Sequence, residues 1–225
     1  ADGMHPRRAL LSVPNGIRLE RFRPADDVAR QSLVAELGLP TGSRIIGTVG
    51  RLQPVKDHAL LLRAFAKVRV QVPEAALVIV GDVTGATPYQ QRLLALASDQ
   101  VRFTGGVYVP AQLNALRVFA GTYLHGHSVG GTNPSLLESL ACGNWVIAHD
   151  NPYNREVARD AADYFASPAE LAERLNVRVT QPTEAVAQRA DRARQIIADH
   201  YTWPAIVDAY EALMQAECAR RRRPA

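Results

Sequence analysis

The segment Leu124–Asp150, "LHGHSVGGTNPSLLESLACGNWVIAHD", admits two incompatible readings. Its first half contains G-H-S-V-G, the G-x-S-x-G pattern of a serine-hydrolase nucleophile elbow centred on Ser128. Its second half reads as a glycine-bearing loop feeding a helix. An elbow needs the helix to begin beside the serine, so that its first amides complete an oxyanion hole. Here Pro134 stands six residues beyond Ser128. Proline disfavours α conformation at the residue before it and suits the first helical turn, and asparagine is a good N-cap. The helix is therefore expected to begin at Pro134 with Asn133 as its cap, leaving Ser128 in a loop. A triad also requires an acid and then a histidine downstream. Asp150 follows a strand suitably, but His200 falls in or at the end of a charged helical stretch, a poor place for a loop-borne base.

The loop reading has better mechanics. Gly130, Gly131, Thr132 and Asn133 precede a helix start, which gathers unpaired backbone N–H groups and the positive helix end at one spot. That spot favours phosphate. Glu138 falls in the second turn, bordering the apolar stripe of Leu137, Leu140 and Ala141, within reach of sugar hydroxyls in the same crevice. On position alone the favoured reading is a solvated helix carboxylate.

Outward from this segment, short apolar runs alternate with segments of helical period. The strand candidates are residues 44–50, 76–82, 101–105, 121–125, 145–149 and 162–166. Between them, "DHALLLRAFAKVRVQV", "TPYQQRLLALAS", "PAQLNALRVFA" and "NPSLLESLACG" repeat apolar residues at three- and four-residue steps. Near-continuous apolar strands in β-α-β order imply a parallel sheet covered by helices on both faces. The expected fold class is α/β, a Rossmann-like doubly wound parallel sheet followed by C-terminal helices, "PAELAERLNV", "TEAVAQRADRARQIIADHY" and "WPAIVDAYEALMQ". The chain divides into a turn-rich entry arm, 1–24, a nucleotide-binding domain, 25–200, and a C-terminal helix with a basic tail, 201–225.

Composition sets the outer limits. At 225 residues, 47% hydrophobic and 21% charged, the chain is ordinary globular protein. It has no run of about 18 apolar residues and no long apolar region near Ala1, so neither a membrane span nor a signal peptide is indicated and a cytoplasmic protein is expected. Cys142 and Cys218 give no disulfide framework, and the six histidines form no H-E-x-x-H or comparable metal pattern. No metal and no cofactor are expected. The net charge of +4 draws on Arg220, Arg221, Arg222 and Arg223, a solvated tail or a contact for anionic lipid at the inner face of the plasma membrane. Nucleic acid is not expected, because no aromatic residues interleave the block.

A second anion signal lies in "GTVGRLQPVKDH". Arg51 and Lys56 flank the loop that leaves the first strong strand, and open α/β sheets bind ligands at such strand ends. A lysine beside a helix N-terminus is electrostatically misplaced without an anion. Neither G-x-G-x-x-G nor G-x-x-x-x-G-K-[ST] occurs.

"VPNGIRLERFRP", "VGRLQPVKDH", "LVIVGD", "VRFTGGVY", "NPSLLESLACGNWVIAHD" and "YTWPAIVDAYEALM", in that order, resemble the C-terminal, donor-binding half of GT-B retaining glycosyltransferases of family 4, the glycosyl transferases group 1. From Val80 onward the chain looks most like a bacterial rhamnosyltransferase-type subgroup that builds surface polysaccharides. The resemblance implies that Arg51 and Lys56 grip the donor diphosphate and stabilise the leaving nucleotide, with Gly50 beside them. Thr104, Gly105 and Val107 match the segment whose backbone hydrogen-bonds the base. Glu138 matches the second glutamate of the family's E-x7-E motif and is implied to hold the ribose. The first glutamate of that motif corresponds to Gly130, a departure that bears on how the donor sugar is oriented. Gly130, Gly131, Thr132 and Asn133 are then expected to contact the diphosphate or sugar, with His127 a further candidate for the sugar.

The implied reaction is metal-independent transfer of a hexose or deoxyhexose, rhamnose by subgroup, from a nucleoside diphosphate to a polysaccharide or glycolipid acceptor held by an upstream half. As one half the chain is expected to transfer little or nothing by itself. A nucleotide-sugar-binding module without transfer, a sugar-nucleotide epimerase and a serine hydrolase using Ser128 are the alternatives.

Overall fold

The computed structural model describes residues 13–22, 27–40, 42–85 and 87–221. Strands β1 (Arg44–Val49), β2 (Ala75–Val80), β3 (Val101–Phe103), β4 (Thr122–His125), β5 (Trp145–His149) and β6 (Ala162–Phe165) form one sheet in the order β3-β2-β1-β4-β5-β6. Every neighbouring pair is parallel. The order reverses between β1 and β4, which opens a crevice at their carboxyl ends. All six strands fall on the expected segments, and the expected Rossmann-like α/β fold is the one observed.

The helices are α1 (Asp27–Glu36), α2 (His58–Val68), α3 (Pro88–Leu96), α4 (Pro110–Phe119), α5 (Pro134–Ala141), α6 (Pro152–Ala158), α7 (Pro168–Val179), α8 (Thr183–His200) and α9 (Trp203–Arg221). A proline opens each of α3 to α7, where its missing N–H and fixed φ cost nothing. Side-chain caps stand immediately before four of these prolines. Thr87 forms a capping box with Gln90, while Asn133, Asn151 and Ser167 accept from first-turn amides.

Strand alternation builds two cores. On one face Leu77 and Ile79 of β2 and Ile147 of β5 pack with Leu61, Phe65, Leu93 and Leu171 from α2, α3 and α7. On the other, Val146 and Ala148 of β5 meet Leu137 and Leu140 of α5 and Ile196 and Ile197 of α8. Ala76, Val78 and Val80 of β2 meet Leu116 and Phe119 of α4 on that same side. Part of the entry arm packs here too. Ile17 is buried in the α5/α8 cluster, and its N–H donates to the Tyr201 carbonyl at 2.8 Å.

Sequence periodicity did not mark α1 or α6. α6 spans only seven residues, "PYNREVA", too few for a repeat to register. α1, "DVARQSLVAE", is only weakly amphipathic. Arg220 and Arg221 end α9, whereas Arg222 and Arg223 lie outside the described residues, as does the arm before Val13. No helix among the described residues is long and apolar enough to cross a membrane.

Two predictions follow from these cores. Leu137 is fully buried between α5 and the sheet, so Leu137→Ala should cost about 2–5 kcal/mol, read as a lower urea midpoint at unchanged m-value. His58 and His125 are buried, and burial first, then the Lys56 charge, holds their pKa values at about 4 and about 3. The unfolded chain therefore binds protons below about pH 6.5 that the folded chain refuses, and stability should fall as pH drops through that value toward 4. Urea midpoints measured between pH 7 and 5 should fall, and His125→Phe should flatten that slope; an unchanged slope would refute the assignment.

Candidate functional site

The site is assembled from two loops at the reversal point. After β1, the Gly50 N–H donates to the Val80 carbonyl at 3.0 Å, and the chain passes exposed Arg51 into a 3-10 turn, Pro54–Lys56. Asp57, at φ 44°, then caps α2 by accepting from the Leu60 N–H at 3.3 Å. After β4, the backbone at Gly126 runs directly against this turn. A Cβ on residue 126 would lie 2.4 Å from the Lys56 carbonyl oxygen, so only glycine fits. The Ser128 N–H donates to the Val55 carbonyl at 3.1 Å and locks the two loops together.

Within this junction the Lys56 ammonium lies 2.5 Å from His127 Nδ1, and Asn133 Nδ2 lies 2.6 Å from the same nitrogen. Burial first, then the charge of Arg51, holds Lys56 below the usual lysine pKa. Tyr123 and His125 of β4 and His127 in the loop just beyond it, at two-residue spacing, stack with centroids 6.0 Å apart at each step. Burial and the Lys56 charge hold the His127 pKa low, with the Val129 carbonyl opposing. Gly130 has φ +107°, a conformation that side chains rarely adopt, and a Cβ on Gly131 would meet open space. The structure thus gathers Gly50, Lys56, His127 and the Gly130–Asn133 loop around one crevice, with Arg51 at its edge.

Glu138 is not a solvated helix carboxylate. Its Oε2 accepts from Arg117 Nη2 of α4, whose side chain is 4% exposed against 27% for the glutamate. Burial raises the Glu138 pKa, with Arg117 opposing. Thr104 and Gly105 sit at the end of β3, where the Thr104 N–H donates to Ile79 and the Gly105 carbonyl accepts from Gly81. Val107 and Gly106 line a neighbouring cleft of about 720 Å³ with Phe103 and Tyr108.

The hydrolase reading fails on geometry. The Ser128 hydroxyl donates to the Val55 carbonyl at 3.3 Å, Asp150 is engaged by Arg155, and His200 contacts Arg159 at 2.7 Å on the end of α8. α5 begins at Pro134, as its proline and cap require. Among the described residues no group of three or more His, Cys, Asp or Glu side chains is arranged to hold a metal ion.

Several supporting residues escaped the sequence reading. Asn151 and Asn154 both donate to the His127 carbonyl at 3.0 Å, and Asn154 also donates to the His149 carbonyl at 2.8 Å. The signal was present in a second Asn-Pro helix start, "NPYN", after β5. Asn15 of the arm donates to the Thr132 carbonyl at 3.1 Å. Arg117 has no local signal, because it meets Glu138 from another helix.

Residues 29–196 match the family described as Glycosyl transferases group 1. The chain is 36% identical over 160 residues, 66% of its length, to the GDP-mannose-dependent alpha-(1-6)-phosphatidylinositol monomannoside mannosyltransferase of Mycolicibacterium smegmatis. It spans 40% of that relative's length, and 30% to 58% of the length of other curated relatives. The C-terminal domain of a glycosyl transferase group 1 family protein, LpcC of Francisella tularensis, superposes with a TM-score of 0.68 at 17% identity, covering 84% of this chain and 100% of that one. HepE of Anabaena in complex with UDP-glucose superposes with a TM-score of 0.76 at 19% identity, covering 89% of this chain and 56% of HepE. The family match takes in well over half of the chain, which therefore belongs to the glycosyl transferases group 1 family.

Proposed function

We propose that this chain is the donor-binding half of a glycosyltransferase and holds a nucleoside-diphosphate sugar at the β1/β4 crevice. One observation carries the reading: Lys56 is part-buried beside Arg51 and next to the α5 N-terminus, a concentration of positive potential that a bound anion relieves. In this reading Arg51 and Lys56 grip the diphosphate, and the amides of Gly130 to Asn133 contact it or the sugar. They stabilise the charge that develops on the leaving nucleotide, work that preorganised donors and cations do well. Glu138 keeps one carboxylate oxygen beyond the Arg117 bond for the ribose hydroxyls. The backbone of Gly106 and Val107 faces the base, since the Thr104 N–H and the Gly105 carbonyl are engaged within the sheet.

The anomeric configuration is proposed to be retained, and the acceptor to be held by a second half, as the chain spans only part of its relatives' length. For the donor, the M. smegmatis relative is named for GDP-mannose, HepE was solved with UDP-glucose, and the subgroup likeness points to dTDP-rhamnose. All three belong in one binding panel.

UDP, GDP or dTDP should raise the melting temperature of the chain. Arg51→Ala combined with Lys56→Ala should weaken binding by at least about tenfold, the scale of losing charge-assisted hydrogen bonds. Undiminished protection in the double variant would remove the assigned site. The Arg117–Glu138 pair gives a separate check. Arg117→Met alone leaves a part-buried carboxylate unpaired and should destabilise the chain by about 3–5 kcal/mol in urea titrations. Adding Glu138→Leu should recover most of that stability while affinity for the nucleoside diphosphate stays reduced; recovered affinity would show that Glu138 does not touch the nucleotide.

A further inference from the structure

We infer that His127 is a positioning residue: a neutral imidazole whose Nδ1 lone pair ties the Lys56 ammonium to the N-cap of α5, so that the two halves of the anion site are held as one unit. The consequence for donor binding rests on the function proposed above; the protonation state rests on hydrogen-bond logic alone. Asn133 Oδ1 accepts from both the Ser135 N–H at 3.2 Å and the Ser135 hydroxyl at 2.9 Å, which fixes the amide so that its NH₂ faces His127. An amide NH₂ and a lysine ammonium are donors only. With both within 2.6 Å of Nδ1, that nitrogen carries a lone pair and the ring proton resides on Nε2.

The ring has little freedom to change this arrangement. One face stacks on buried His125, and the His127 carbonyl is pinned by Asn151 and Asn154. On the far edge, Gly130 leaves room for the imidazole, since a Cβ there would come 3.4 Å from Nε2. The titratable groups facing the ring are Lys56 from the turn before α2 and His125 from β4, with His149 of β5 next beyond His125. Protonating His127 removes the acceptor that holds Lys56 and adds a third cation beside Lys56 and Arg51. Lys56 is then released from its place against α5.

Long-range ¹H–¹⁵N spectra of the chain at pH 7 without ligand should show His127 neutral and protonated at Nε2. An Nδ1–H tautomer or an imidazolium at that pH would overturn the inference, whatever the chain binds. UDP and GDP calorimetry then tests the consequence. His127→Ala should weaken binding roughly tenfold, and His127→Asn, whose Oδ1 falls near the Nδ1 position, should restore most of the loss. In a Lys56→Ala background, His127→Ala should add nothing further, because it acts through that lysine. If Lys56→Ala weakens binding but His127→Ala does not, the positioning role is wrong and the donor site stands. If the wild-type chain binds neither nucleotide, the donor reading fails, and the spectra still decide the state of His127.

Discussion

The backbone contact between Gly126 and the Lys56 carbonyl governs the rest of the site. Two loops from strands that are neighbours in the sheet but far apart in sequence meet there without a side chain between them, and the Ser128 N–H bond to Val55 closes the junction. That closeness brings the Lys56 ammonium within hydrogen-bond reach of His127 and lays the Gly130–Asn133 loop over the same crevice. A methyl group at 126 would push the loops apart, since its 2.4 Å approach to the Lys56 carbonyl lies well inside the 3.0 Å below which Cβ contacts do not occur in practice. Lys56 would then face solvent as an ordinary surface cation. The chemistry of the crevice is thus set by a steric constraint on the backbone, and the charged side chains exploit it.

Opposing terms can be weighed at two ion pairs. Asp150 and Arg155 meet at the surface, where the hydrogen bond outweighs a small desolvation cost and the Asp150 pKa falls. Arg117 and Glu138 meet largely out of water, and burial wins: the Glu138 pKa rises despite a guanidinium in contact. A pair whose desolvation outweighs its attraction contributes little net stability, and buried pairs of that kind are commonly no better than apolar residues of similar volume. What the Arg117 contact does provide is orientation. It fixes one oxygen of Glu138 and leaves the carboxylate where a polyol ligand could meet it.

The strands were legible in sequence because each is a short apolar run, and the β2 stretch Ala75–Val80 is buried along its whole length. Helix starts are legible where a capping residue and proline stand together, so the sequence itself puts the start of α5 at Pro134 and away from Ser128. α6 carries the same Asn-Pro start but only seven residues, so its cap was the only signal it could give. Within the site, cations and glycines announced themselves because they are unusual beside a helix N-terminus. His127 was visible only as a candidate, since its role depends on which atoms of Lys56 and Asn133 face it. Arg117 was invisible, because a buried arginine on one helix that pairs with a glutamate on another leaves no periodic trace.

The electrostatics of the β1/β4 junction set the charge of Lys56 against its surroundings. Lys56 is desolvated beside another cation, and His58 and His125 are held neutral by burial and by that same lysine. In each of these groups it is the charged form that the folded surroundings disfavour, a cost borne by Lys56 near neutral pH and by the two histidines only below about pH 6.5. An anionic ligand in the crevice offsets the Lys56–Arg51 repulsion directly and lowers the field felt by the histidines behind it. Binding and folding are therefore linked through one charge, and a ligand present at a hundred times its Kd would add about 2.7 kcal/mol of stability by mass action. In the proposed reading, a bound anion completes the surroundings of Lys56, which lies part-buried beside Arg51 and against His127.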